Sequence, residues 1–133
     1  MIKTLTVKSS AREDFIDITD EVERVVKAEG VKRGICYLYV PHTTAGITIN
    51  EGADPSVKKD ILSVLKKIAP QAAGYLHMEG NADSHIKATI VGSSVVVLVE
   101  GGSLLLGQWQ SIFFCEFDGP RTRKVYLKIL KED

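Results

Sequence analysis

Three histidines are all that this chain contains, and each sits in a polar segment beside carboxylates. His42 opens the stretch Val40–Pro55, V-P-H-T-T-A-G-I-T-I-N-E-G-A-D-P, which also carries Thr43, Thr44, Asn50, Glu51 and Asp54. His77 and His85, spaced H-x7-H, bracket Glu79, Asn81 and Asp83 in a second segment of the same mixture. A neutral imidazole offers a lone pair and a nearby carboxylate orients its other ring nitrogen, so these are the ordinary makings of a divalent metal site. The spacing alone fits hydrogen-bonded surface histidines equally well. One helix face cannot bring His77 and His85 to one ion, so the intervening loop has to fold back.

A second chemistry needs no imidazole. The carboxylates Glu51, Asp54, Asp83 and Glu116 are suited to holding Mg²⁺ through water, with a phosphorylated substrate completing the shell. Asp54 and Asp83 are explained as well by helix capping. Lys87, Arg121, Arg123 and Lys124 are candidate anion contacts, the last three alternatively braces of a strand edge. Trp109, between Gln108 and Gln110, either stacks on a ligand ring or packs in the core. No Walker loop, G-x-G-x-x-G or G-x-S-x-G occurs, so nucleotide-fold and α/β-hydrolase readings have no motif.

Length and composition bound the rest. A chain of 133 residues forms one domain, residues 1–133, with room for a proper core. Seventeen basic and seventeen acidic side chains cancel, which argues against an overall pull toward nucleic acid or an anionic membrane. Apolar residues at 44% and charged residues at 26% are an ordinary globular balance. The longest uncharged apolar run, Val91–Val99, is too short to span a bilayer. Met1-Ile2-Lys3-Thr4 lacks the apolar core of a signal peptide, so a cytoplasmic location is expected. Cys36 and Cys115 fall in apolar runs without a C-x-x-C partner and read as buried small hydrophobes, not a disulfide or zinc site.

The elements that would position these residues follow from periodicity. Ile2–Val7 alternates as a strand, Ser9–Asp14 is a polar turn, and Phe15–Ile18 is a short second strand. Thr19 caps a helix whose Val22, Val25 and Val26 form one stripe, ended by Gly30. Gly34–Val40 is apolar enough for a well-buried strand, and Ala45–Asn50 is another. Asp54 and Pro55 open a second helix with Val57, Ile61, Leu62, Leu65 and Ile68 inward, lysines 58, 59, 66 and 67 solvated, and Pro70 as its stop. Gln71–Ala82 has no period and reads as a loop. Asp83 caps a short helix through His85, Lys87 and Ile90, ended by Gly92. Val95–Val99 and Leu104–Leu106 flank Glu100-Gly101-Gly102 as a hairpin. Gln108–Phe117 and the alternation through Val125, Leu127 and Ile129 complete an α+β chain rich in hairpins.

Three ordered motifs, H-T-T-A-G-I-T-I-N-E-G-A-D-P, H-M-E-G-N-A-D-S-H-I-K and G-Q-W-Q-S-I-F-F-C-E-F-D-G-P-R, resemble the YjbQ family, often labelled secondary thiamine-phosphate synthase. The resemblance covers essentially the whole chain. Gly52 stands where asparagine is common, Gln108 where threonine is common, and Cys115-Glu116-Phe117 replaces a G-E-H variant. The resemblance implies an α+β pseudo-barrel of mostly antiparallel strands capped by helices, assembled as a homotrimer. It implies a polar cleft near subunit boundaries in which His42, His77 and His85, the metal ligands, gather with Glu51, Asp83 and Glu116. The reaction it implies joins a pyrimidine methyl diphosphate to a thiazole phosphate, releasing pyrophosphate. A divalent ion, Mg or Zn-like, with Lys87 or Arg121 would then stabilise the leaving group. Glu51, Asp83, Lys87 and Glu116 are the candidate catalytic residues. Thr43, Thr44, Asn50, Asn81, Trp109, Gln110 and Arg121 are candidate contacts to the small phosphorylated substrate. A metal-dependent hydrolase using a His-bound water, and a non-catalytic small-ligand module, are the competing readings of the same residues.

Overall fold

The computed structural model describes residues 1–132. Among these the order is β1 (Ile2–Lys8), β2 (Asp14–Asp17), α1 (Thr19–Ala28), β3 (Gly34–Tyr39), β4 (Ala45–Glu51) and α2 (Pro55–Ile68), followed by α3 (Ala82–Val91), β5 (Ser94–Glu100), β6 (Ser103–Leu104), β7 (Gln110–Glu116) and β8 (Thr122–Lys131). The strands make two curled antiparallel sheets forming a half-barrel, one ordered β1-β8-β3-β5-β6 and the other β2-β7-β4. The α+β fold expected from the alternation is therefore the fold observed. No helix among the described residues is long and apolar enough to cross a membrane.

Strand phase explains the layers. In β8 the residues Arg123, Val125 and Leu127 point inward, as do Cys36 and Leu38 of β3 and Val97 and Val99 of β5. They meet Ile47 of β4 and Ile112 and Phe114 of β7, with Val22 and Val26 of α1 closing the side of this main core. The alternate residues of β7, Phe113 and Cys115, point the other way. With Phe15 and Phe117 they pack beneath Leu65 of α2, flanked by Ala88 and Val91 of α3. β7 is thus covered on both faces, whereas β3 is not. Its Ile35, Tyr37 and Tyr39 stand exposed on the outer face of the large sheet, so β3 is interior within its sheet but buried on one side only.

Several local expectations need correction. Thr19 does not cap α1 but is its first residue. The Asp17 carboxylate accepts from the Thr19 amide and hydroxyl, and the Thr19 hydroxyl accepts from the Ile112 amide at 2.9 Å. Asp83 does not cap α3 either. Asn81 occupies that position, and Asp83 is buried inside the first turn. Asp54 does cap α2, accepting from the Ser56 amide with Pro55 just after it. Lys58 is not freely solvated, since its ammonium donates to the Phe15 carbonyl at 3.2 Å. The strand expected from Gln108 begins instead at Gln110, as β7, because Gly107–Gln110 is a turn closed by the Gln110 side chain on the Gly107 amide. Both cysteines are buried free thiols; burial pushes the Cys36 thiol up to about 11.

The contact that seats α3 is a glycine. A Cβ on Gly46 would stand 2.7 Å from the Gly92 carbonyl oxygen and 3.1 Å from a Val91 methyl, and that same carbonyl accepts from the Ile47 amide. α3, which carries His85, therefore rests directly on the β4 backbone. Gly46→Ala is expected to lift the end of α3 and to destabilise the fold by about 1–3 kcal/mol, the usual cost of overpacking. Chemical denaturation midpoints of the two proteins check this.

Candidate functional site

β3 ends beside β8, and the chain turns through Pro41 to His42, Thr43 and Thr44 before entering β4. On the neighbouring side, the loop from Gln71 to Gly80 delivers His77 and Glu79, and α3 begins at once with Asn81 at its cap. The result is an open cleft of about 490 Å³ lined by all three histidines, with Thr43, Thr44, Asn81, Asp118, Arg121 and Arg123. A smaller hollow of about 360 Å³ adjoins it, sharing His42, Thr43 and His85 and running along Ala88, Thr89 and Gly92 of α3. The three imidazoles, remote in sequence, thus meet within one chain.

Behind the cleft lies a buried ion pair. Arg123 of β8 donates through Nε to Glu116 Oε1 at 2.9 Å and through Nη2 to Oε2 at 2.5 Å. The Ser9 hydroxyl and the Asp118 amide donate to the same carboxylate, so its acceptor capacity is well used. Nη2 of Arg123 also reaches the Thr44 hydroxyl at 2.9 Å, fixing the residue between His42 and β4. Burial alone would push Glu116 up. The bonds from Arg123, Ser9 and the Asp118 amide outweigh it and hold the carboxyl below its usual range. Glu116 lies out of reach of the cleft, and Arg123 is the member that faces it.

His42 has a fixed orientation, because its Nε2 accepts from the Lys124 backbone amide at 2.9 Å. Burial, together with the nearby Arg123 charge, lowers its pKa. His77 and His85 approach edge to face with ring centroids 5.1 Å apart, and Glu79 Oε2 lies 3.8 Å from His77 Nε2. Among the described residues no three His, Cys, Asp or Glu side chains come close enough together to hold a metal ion. The expected three-histidine ligand set shares a cleft but is not assembled as a ligand set. The imidazoles closest to one another are those of His77 and His85. Asn81 donates to Asp118 at 2.9 Å, which leaves its buried Oδ1 without a partner, a deficit of roughly 1–3 kcal/mol.

The other expected site residues divide into two groups. Asp83 and Lys87 leave the cleft because they share the face of α3 opposite His85. Asp83 takes two bonds from Arg12, and Lys87 lies between Asp83 and Glu13 at 2.8 Å from each. Lys87 is fully buried in that cluster and has no route to an anion in the cleft. Asn50, Glu51, Trp109 and Gln110 lie at the far end of the small sheet. Ala45 pairs with Glu116 and Glu51 with Gln110, so six residues of strand, about 20 Å, separate the two ends. There Asn50 accepts from the Glu51 amide, Glu51 from the Ala53 amide and Gln110 from the Gly107 amide. These are braces of turns. Trp109 is neither core nor part of the cleft; it stands exposed at that far turn. Arg121 stays in the cleft, bound to Asp118 through Nη2 at 3.0 Å. Arg123, expected as either an anion contact or a strand-edge brace, lines the cleft, and the residue that motif reading passed over is Asp118, with Ser9 as support. Arg123 falls in phase with the buried Val125 and Leu127, and that inward phase was the available signal.

Two expectations follow for stability. Glu116→Gln leaves the Arg123 charge buried and unpaired, and a loss of about 3–5 kcal/mol is expected in denaturation experiments. Asp83, Glu116 and Asp118 all have depressed pKa values in the fold. Their stabilisation is therefore complete above the unfolded value of about 4 and is lost as pH falls through the folded values. His42 adds a loss of the same sign. Its lowered pKa makes the unfolded chain the better proton acceptor as pH drops below about 6.5. Unfolding free energy measured against pH should fall on the acid side in both windows, and Glu116→Gln should flatten the lower one.

Comparison with known proteins places this chain in a family. A family model described as UPF0047 protein YjbQ-like matches residues 3–132. The UPF0047 protein YugU of Bacillus subtilis is 52% identical over 131 residues, covering 98% of this chain and 99% of that protein. A UPF0047 protein of Methanocaldococcus jannaschii is 49% identical over 130 residues, covering 98% and 94%. The crystal structure of an uncharacterized YjbQ/UPF0047 protein from Clostridium acetobutylicum superposes with a TM-score of 0.94 at 51% identity, covering 96% and 99%. By sequence and by fold the chain belongs to the YjbQ-like UPF0047 family.

Proposed function

We propose that the histidine cleft binds a small phosphorylated substrate with a divalent metal ion and catalyses thiamine-phosphate synthesis. The ring nitrogen of a thiazole phosphate would attack the methylene carbon of a pyrimidine methyl diphosphate. The carbon–nitrogen bond forms as the carbon–oxygen bond to the diphosphate breaks, and pyrophosphate leaves with the electron pair. The observation that carries this reading is the meeting of three imidazoles with Arg121 and Arg123 on one open cleft. Such a surface suits an oxyanion-rich group, because guanidinium pairs with phosphate oxygens in charge-assisted bonds. Thr43 lies on the same wall and offers a hydroxyl.

The roles follow from what each residue already does. Arg123 is held rigid by Glu116, so its remaining donor capacity is pre-organised and costs little reorganisation when charge builds on the leaving group. Arg121 is steered by Asp118 toward the same volume. His77 and His85 would hold the metal, with substrate oxygens completing its shell, and the ion would supply charge neutralisation on the leaving group. Asp83, Lys87 and Glu116 serve as supports behind the wall and not as groups touching substrate.

The same proposal has the chain working as a homotrimer. Ile35, Tyr37 and Tyr39 of β3, Val96 and Leu98 of β5, and Leu130 of β8 form a continuous exposed apolar face, with Ile35 paired to both Leu98 and Leu130. Soluble monomers rarely leave so large an apolar patch uncovered.

Product from the two precursors under Mg²⁺ is the expected result, with turnover lost in His85→Ala while the melting temperature holds. No product above a no-enzyme control would remove the synthase reading. Light scattering should give three times the 14.6 kDa chain mass. A Val96→Lys/Leu98→Lys variant should shift to the monomer mass.

A further inference from the structure

A metal ligand has to present a lone pair, and which ring nitrogen of a neutral histidine has one is set by what the other is doing. In His42 the lone pair is already committed. Nε2 lies 2.9 Å from the Lys124 backbone nitrogen, a group that can only donate, so Nε2 is the acceptor nitrogen of the ring. The neutral ring then carries its proton on Nδ1. The amide belongs to β8, where Lys124 is paired with Thr6 of β1 and lies two residues before Tyr126, at which β8 is also held by β3, so it has little freedom to withdraw. The two nitrogens of an imidazole face nearly opposite ways. With Nε2 turned to β8, Nδ1–H is turned away from that strand, and no protein acceptor takes it among the described residues. His42 lines both hollows of the cleft, next to Arg121 and Arg123 in the larger one.

We propose that His42 is not a ligand of the metal but the cleft's fixed neutral N–H donor, offering Nδ1–H to an oxygen of the substrate's phosphoryl group. Its partner is thus an anionic acceptor, the same class of group that the two arginines recognise. His77 and His85 differ because neither ring nitrogen of either histidine is tied to a backbone amide among the described residues, which leaves them lone pairs for an ion. The assignment rests on the reading of the cleft as a metal and phosphate site. It divides the three histidines into a metal pair and a substrate donor. The chemistry of the hydrogen bond favours this over a three-histidine metal site, in which His42 would have to break its bond to Lys124 or lose the Nδ1 proton.

The tautomer can be read directly. Long-range ¹⁵N–¹H correlation spectra of the folded protein at neutral pH, with His42 identified by its absence in His42→Asn, should show that ring protonated at Nδ1. A ring protonated at Nε2 would overturn the proposal whatever the protein binds. Binding separates the roles further. Cobalt(II) affinity, followed by its absorption bands, should stay within about twofold in His42→Asn and fall at least tenfold in His77→Ala and His85→Ala. Inorganic pyrophosphate affinity should fall about tenfold in His42→Ala and recover in His42→Asn, whose amide nitrogen falls near the Nδ1 position. Loss of cobalt in His42→Asn equal to that in the other two would make His42 a ligand and end the proposal. A wild-type protein that binds neither cobalt nor pyrophosphate would remove the metal and phosphate reading itself, and the spectrum still decides the tautomer.

Discussion

A glutamate and an arginine, each on the core-facing side of its strand, tie the two sheets together at the end where the histidines gather. Burying either charge alone would cost several kcal/mol, and their mutual attraction offsets this only when the remaining hydrogen-bonding capacity is also met. Here it is met. Ser9 reaches in from the end of β1 and the Asp118 amide from the turn after β7, while the arginine turns its spare nitrogen to Thr44. Three further points along the chain are therefore drawn to one carboxylate and its partner. A Cβ on Gly119 would stand 2.9 Å from the Glu116 Cγ, so the turn has to pass there without a side chain. What looks like a polar cleft with an acidic wall is better described as the outer surface of this clamp.

α3 is the second organising feature, and it acts as a partition. One face carries His85, Ala88 and Thr89 into the cleft; the other carries Asp83 and Lys87 into a separate cluster with Arg12 and Glu13. Residues four apart on a helix share a face, so Asp83 and Lys87 find each other and are consumed by that pairing. The charges that a linear reading groups around His85 thus end on the far side of the helix. The cleft keeps a different inventory: three imidazoles, Arg121 and Arg123, Asp118 and Glu79, with Asn81 and threonine hydroxyls.

Much of this was legible in the residues, and the failures have a common cause. Helices and strands followed from periodicity, and Asp54-Pro55 marked the start of α2, because those signals act over one turn of chain. The inward phase of Glu116 with Ile112 and Phe114, and of Arg123 with Val125 and Leu127, left two opposite charges facing one core, a pairing that strand alternation alone could have exposed. The grouping of Asn50 and Glu51 with His42 failed because neighbours along an extended strand separate by more than 3 Å per residue. Polar side chains at a strand's two ends belong to different places, and here the far set closes turns.

The sequence by itself determined the elements, the three histidines as the residues to follow, and a likeness to one family over nearly the whole chain. These are properties of composition, short-range period and local order. Only the tertiary structure decided which charges stand together, which nitrogen of His42 is occupied, and that Arg123 and Asp118 replace Glu116 and Asp83 at the cleft surface. Those outcomes depend on the register of β8 against β1 and β3 and on how α3 is seated over Gly46, contacts between segments far apart in the chain. Side-chain chemistry was set residue by residue, but its direction in space was set by packing.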